Sequence, residues 1–250
     1  SKLLNILEGQ IEKSEHIHVV NDSFPVEFSF KEKNTQKSIE TVRTQNEVSF
    51  SCDHLIVADG KFSQSRALLN THIPLHYRGY RVTKGMTTRN ITGNTSFQSW
   101  SKGQRFATVP VAGSDSNIWF FTNSEDECPE SLDPDLDHTF GEDALSPVEE
   151  TIRTWHEPIA EIVAETALET VHAQSALESF GNIYEKMKSN VYFVGDAART
   201  LDPILAVGAG LAVEDGFDVA HTISCSRRGK ASLNREARIR KLRFLSNLSQ

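Results

Sequence analysis

Cysteine is scarce. The 250 residues hold three, Cys52, Cys128 and Cys225, an odd number set far apart. That spacing excludes a disulfide framework and a zinc site, and it suits reduced thiols in the cytoplasm or an organelle interior. No apolar run approaches the roughly 20 residues needed to span a bilayer. The opening Ser1-Lys2-Leu3-Leu4 has neither an initiator Met nor a signal peptide, so a fragment or a processed product is expected. Positive charge is also short, with 26 Lys and Arg against 34 Asp and Glu and a net charge of −8. This argues against a nucleic-acid partner, although eight cations between Arg227 and Arg243 gather near the C-terminus, where they read as the solvated face of a last helix. Asp133, Asp135 and Asp137 are spaced like calcium ligands, but His138 stands where an EF-hand loop needs Gly, so no metal is expected.

With 38% hydrophobic and 24% charged residues, the chain can bury one large core or two smaller ones. Its organising stretch is 190–223. Val191-Tyr192-Phe193-Val194 reads as a buried strand that breaks at Gly195-Asp196-Ala197-Ala198. Beyond Asp202-Pro203, a helix opens on Gly208-Ala209-Gly210, and Val213, Gly216, Phe217 and Ala220 fall at the period of its buried face. Glycines at a helix start leave unpaired N–H groups reachable, so the positive end of the helix can face an anionic or electron-rich group. Asp196 beside them points to a sugar or polyol.

Upstream, residues 2–12 are spaced as a helix and 16–20 as a short strand. Val26, Phe28 and Phe30 alternate as a strand whose hairpin partner is expected at 47–51, across a polar segment at 31–46. Leu55-Ile56-Val57 is a short strand stopping at Ala58-Asp59-Gly60, and Ser63 can cap a helix containing Arg66. Strands are expected at 79–90, 95–101, 105–111 and 117–122, an acidic loop or insertion at 123–147, helices at 148–155 and 158–165, and a terminal helix at 231–248. Trp100, Phe106, Trp119, Phe120 and Phe121 read mostly as core. Gly208-x-Gly210 mimics a dinucleotide fingerprint, but its third position is Val213, and no G-x-G-x-x-G of the right context occurs in the chain.

Gly195-Asp196-Ala197-Ala198, Pro203, Gly208 and Glu214-Asp215 resemble the second flavin motif of the FAD-dependent aromatic-ring hydroxylases, the para-hydroxybenzoate hydroxylase fold. Arg199, Ala206-Val207, Gly210 and Gly216 stand where that family usually has His, Gly-Gln, Asn and Ala. Arg199 and Val207 are thus expected to set a cation and an apolar side chain near the flavin ring. Asp59-Gly60-Lys61-Phe62-Ser63-Gln64-Ser65-Arg66 resembles the family's D-G-x-x-S-x-x-R, which lies near the flavin pyrophosphate and is implicated in handling the nicotinamide cofactor. Tyr77-Arg78-Gly79-Tyr80, Lys84-Gly85, 100–106 and Trp155-His156-Glu157-Pro158 resemble the zeaxanthin epoxidase and urate hydroxylase branch, with Lys84 in place of a usual Arg. His156 is a fold marker first.

The resemblance implies an α/β fold, a partial FAD/NAD(P)-binding, Rossmann-like domain interleaved with a mixed β-sheet substrate domain. Residues 1–73 and 186–250 would form the first and 74–185 the second. It implies FAD as cofactor, held by Asp59, Gly60, Arg66, Gly195, Asp196, Ala197, Pro203, Gly208, Ala209 and Gly210. NAD(P)H is the implied co-substrate, with O2 and a small aromatic or terpenoid molecule bound by Lys84 and Tyr80. The implied activity is a monooxygenase. A halogenase or prenyl reductase would share the second motif but not the D-G motif, and a non-catalytic scaffold is the alternative that the substitutions raise. The missing first fingerprint would leave the adenosine half of FAD without its usual grip.

Overall fold

The computed structural model describes residues 2–33, 36–71, 73–125, 129, 137–179 and 190–226. The expected terminal helix, and the acidic insertion at 126–128 and 130–136, lie outside them. Among the described residues no helix is long and apolar enough to cross a membrane. The chain divides into two compact units, Ser1–Val57 with Gln64–His72 and Tyr184–Tyr192, and Ala58–Ser63 with Ile73–Ile183 and Phe193–Gln250.

The first unit begins with helix α1 (Lys2–Ile11). Residues 16–20, expected as a strand, form none: Ile17, Val19 and Val20 are exposed and no sheet edge receives them. Strand β1 (Pro25–Lys33) pairs with β2 (Gln36–Thr44), which pairs with β3 (Ser49–Ser51), all antiparallel. The segment expected as a polar connection is therefore the middle strand. Its Val42 and Ile39 stand opposite Phe28 and Phe30, and those pairs, with Ile39 fully buried, outweigh the polar residues between them. Strand β4 (Leu55–Val57) precedes helix α2 (Gln64–Leu68), which packs on β1. Asn190 is the unit's buried fastener. Its amide accepts from Ile39 N at 2.7 Å and donates to Ile39 O at 3.2 Å and Asp53 O at 2.6 Å.

The second unit is built on a six-stranded antiparallel sheet. Its strands are β5 (Leu75–Met86), β6 (Phe97–Ser101), β7 (Gln104–Pro110), β8 (Asn117–Ser124), β9 (Thr139–Phe140) and β10 (His172–Ser179), in the order β6-β7-β8-β5-β10-β9. The first four overlap the expected strands, with β5 running four residues earlier than the expected 79–90. Helix α3 (Gly141–Ile152) starts inside the stretch expected to be loop, because Glu142 and Asp143 sit in its first turn, where negative charge is favoured. Helix α4 (Ile159–Ala164) follows. Alternation along the strands gives the sheet two faces. Phe106, Trp119, Phe121 and Ala173 point inward and form one core with Ala144, Leu145, Val148, Ile152, Ile159, Ile162 and Val163 of α3 and α4. The five aromatics divide accordingly: Phe106, Trp119 and Phe121 are buried, whereas Trp100 is 69% exposed, with Arg105 5.1 Å over its ring, and Phe120 lies on the outer face.

Strand β11 (Val191–Phe193), which pairs with β4, runs into a 3-10 turn at Gly195–Ala197. A second such turn at Pro203–Leu205 leads into helix α5 (Gly208–Ser226). The phase of α5 differs from expectation. Leu211, Asp215 and Val219 are buried, while Val213 and Phe217 are 68% and 73% exposed. Asp215 decides the phase, since its carboxylate has partners at the Gly195 turn, in Gly195 N and Arg199.

Candidate functional site

The Gly195 turn is held from behind. Gly195 N donates to Asp215 Oδ2 at 2.8 Å, and Arg199 closes a two-pronged pair on the same carboxylate, Nη1 to Oδ2 at 2.9 Å and Nη2 to Oδ1 at 3.2 Å. Both side chains are largely buried. Arg199 is thus not a free cation facing a ligand, as the motif alone suggested, because Asp215 takes up its guanidinium. Gly195 has φ +55° and a Cβ there would stand 3.1 Å from Ala212 Cβ, so both conformation and close approach require glycine. Ala197 is fully buried beneath the turn.

Asp196, by contrast, is exposed. A Cβ added at Gly208 would lie 4.0 Å from its Oδ1, and one at Gly210 would meet nothing within 4 Å. The first intrahelical bond of α5 runs from Leu211 N to Val207 O at 3.0 Å, which leaves the N–H groups of Gly208, Ala209 and Gly210 without intrahelical acceptors. A carboxylate, three N–H groups and open space therefore adjoin. They can hold a hydroxylated chain at Asp196 and an electron-rich group at the helix start. Ala206, where the family motif has Gly, sits at φ 52° in the left-handed region, a conformation that costs a non-glycine residue about 1 kcal/mol.

The Pro203 turn is fixed by β5. Between the pairs Leu177↔Tyr77 and Ser175↔Arg81 the register shifts, and Gly79 takes φ 79° inside that bulge. Arg78 and Tyr80 converge from it on buried Asp202. Arg78 Nε donates to Asp202 Oδ2 at 3.0 Å and lies 3.3 Å from Glu178, and Tyr80 OH donates to Asp202 Oδ1. Asp202 Oδ1 also accepts from Ile204 N at 3.0 Å. Burial first, then the bond to Asp202, holds the Tyr80 phenol well above its usual range, so it stays a donor. The structure therefore places Tyr80 as a brace for the turn that carries Pro203.

Of the D-G motif, Asp59, Gly60 and Lys61 belong to the second unit, with Gly60 at φ 79° and its carbonyl accepting from Ser63 N at 3.2 Å. Arg66 belongs to the first unit, buried in α2, and its carbonyl accepts from Thr71 N at 2.8 Å and Thr71 Oγ1 at 3.1 Å. Lys61 Nζ donates to Gln174 Oε1 of β10 at 3.0 Å and feels the charges of Asp137, Asp196 and Lys84. The D-G loop, the G-D turn and the outer face of the sheet thus come within electrostatic range of one another.

That outer face carries Lys84 and the residue sequence reading missed, His172. They are direct partners across β5 and β10. Strand β10 gave little signal because its inward residues, Ala173 and Ser175, are small. Burial lowers the Lys84 ammonium. Burial, then Lys84, His138 and Lys61, push the His172 imidazole down to about 4. His156 lies apart, its Nδ1 donating to Glu157 O at 2.8 Å and its Nε2 within 2.6 Å of Ser99 Oγ, a tie between β6 and the turn before α4. On the inner face, a cavity of about 680 Å³ lies between the sheet and α3. Its one arginine, Arg81, is paired with Asp137, whose carboxylate also accepts from Ser175 N and Oγ.

Comparison with known proteins extends these observations. Aurachin C monooxygenase/isomerase of Stigmatella aurantiaca is 27% identical over 201 residues, 80% of this chain and 50% of the relative. The fold is shared with P. aeruginosa PqsL solved with 2-aminobenzoylacetate, at TM-score 0.70 and 18% identity over 93% of this chain and 61% of that one. It is shared also with Klebsiella pneumoniae HpxO solved with FAD and uric acid, at TM-score 0.59 and 20% identity over 77% and 47%. The chain spans about half the length of the curated relatives it matches. Residues 2–237, nearly the whole chain, match the family model described as an FAD binding domain, and the chain belongs to that family.

Proposed function

We propose that this chain serves an FAD-dependent, NAD(P)H-driven monooxygenase reaction on a small planar organic molecule. NAD(P)H gives two electrons, one atom of O2 enters the product and the other leaves as water. The observation that carries the reading is the open cradle of Asp196 and the Gly208–Gly210 N–H groups, held rigid from behind by Asp215. It fits a flavin: Asp196 is an acceptor for a ribityl hydroxyl, and the helix start is a donor set for the electron-rich edge of the ring. Asp59, Gly60, Ala197 and Pro203 shape the surrounding turns, and Arg66 anchors α2 in the first unit. Bound FAD would supply the electron transfer and oxygen activation. The protein's own share is binding, orientation and stabilisation of negative charge by fixed N–H dipoles. The named relative from Stigmatella aurantiaca is a monooxygenase, and the neighbours were solved with uric acid and with 2-aminobenzoylacetate, which supports a compact planar substrate; on this chain it would lie over the outer face of the sheet, beside Lys84.

The test is FAD titration followed by flavin absorbance, with NAD(P)H loss read in the same cuvette. Asp196→Ala should weaken FAD binding by about 1.5 to 3 kcal/mol, the range for a hydrogen bond to a charged group. Gly210→Leu should leave thermal stability unchanged, since the added side chain meets open space, yet abolish FAD binding. Wild-type affinity in both variants would remove the cradle from the account, and flavin that NAD(P)H cannot reduce would favour a non-catalytic role.

A further inference from the structure

The outer face of the sheet carries an ordered row across four strands. Phe120 of β8 pairs with Lys84 of β5, Lys84 with His172 of β10, and His172 with Phe140 of β9. Directly paired side chains share a face, with Cβ atoms about 5 Å apart. Two cationisable groups therefore stand side by side with an aromatic ring beyond each. The His172 and Phe140 ring centroids are 6.2 Å apart, and Phe120 and Phe140 are both exposed. Lys61 enters from a different element, its ammonium fixed to Gln174 two residues along the same face of β10.

The charges around this row are unbalanced. Facing His172 are Lys84 from β5, Lys61 from the loop after β4 and His138 from the segment before β9. Asp137 and Asp196 act on Lys61, and among the described residues Lys84 makes no hydrogen bond or ion pair. Half-buried cations that repel one another have one inexpensive remedy, an external anion set between them.

We propose that Lys61, Lys84 and His172 form one anion site, which takes the carboxylate or enolate of a planar aromatic ligand and draws a solvent proton onto His172 as it binds. The ring of the ligand lies beside Phe120 or Phe140, and its charge lies over the cationic centre of the row. Lys84 cannot grip an anion with two parallel donors as Arg can, and here Lys61 and His172 supply the additional donors. This rests on the reading of the outer face as the substrate surface, and it adds the charge of the ligand, the residues that select it and the proton that accompanies it.

The probes are benzoate and its neutral isostere benzamide, added to the full chain with and without FAD. The imidazole of His172 is followed by NMR through a pH titration, and binding by calorimetry in two buffers of different ionisation enthalpy. Benzoate should raise the His172 midpoint by at least one pH unit and bind with proton uptake, whereas benzamide should do neither. Lys84→Met and Lys61→Met should each weaken benzoate about tenfold and leave benzamide unchanged, and His172→Gln should abolish the proton uptake. Equal binding of the two probes, or a His172 midpoint unmoved by saturating benzoate, overturns the proposal. The FAD titration is separate: benzoate-dependent proton uptake in a chain that binds no flavin would sink the monooxygenase reading and leave the anion site standing.

Discussion

Lys84 and Gly85 are neighbours in β5, yet one lies among Phe120, His172 and solvent and the other against the Trp119 ring. The contrast extends over the whole sheet. The inner face is an apolar core where two helices close it, centred on Phe106 stacked 5.8 Å from Trp119, and turns polar toward the Arg81–Asp137 pair. The outer face is half-buried and cationic, met by the D-G loop at Gln174 and by the Pro203 turn at Tyr80. One set of strands thus carries a packed core face and a cationic, half-buried face by the alternation of side chains alone.

Changes on the inner face should cost the most. A Cβ at Gly85 would stand 2.7 Å from Trp119 Cζ2 and 2.8 Å from Thr166 Cγ2, where Trp119 is also tied to Thr166 Oγ1 at 2.9 Å. Gly85→Ala is expected to destabilise by about 2 to 3 kcal/mol, as overpacking does, read as a lower urea midpoint. An unchanged midpoint would mean that the inner face is loosely packed.

The next effect belongs to the outer face and depends on pH. The folded His172 is held at about 4, below its ordinary 6.5. Between those values the unfolded chain binds a proton that the folded chain refuses, so this residue makes stability fall as pH drops from 6.5 to 4, with no contribution above 6.5. His172→Gln should flatten that part of the urea-midpoint profile, and benzoate should flatten it too. Parallel profiles for the two proteins would show that the imidazole is not held neutral.

The smallest effect is expected one residue from the largest. Lys84→Met should change stability by less than about 0.5 kcal/mol, because among the described residues the ammonium has no partner to lose and its stem already lies on the sheet. A loss comparable to that of Gly85→Ala would erase the distinction between the faces.

Strands β5 to β8 were legible because large inward residues alternate with polar ones. Strand β10 was not, since Ala173 and Ser175 give no hydrophobic period, and β2 was hidden by its outward polar residues. The start of α3 was hidden because acidic residues that favour a helix N-terminus also favour a loop. Periodicity set the wrong phase on α5, since one buried carboxylate outweighed Val213 and Phe217. The flavin motif was readable as a linear string. The cationic row was not, because positions 61, 84, 120, 140 and 172 meet only through strand register, which no local spacing encodes.

Asp215 has a kinetic consequence. Its carboxylate holds an amide 20 residues earlier in the chain, so the Gly195 turn and the third turn of α5 open together or not at all. The Gly195 amide proton can exchange with solvent only when that grip is released. Its exchange rate is therefore a native clock for the motion of the whole cradle, readable without any ligand.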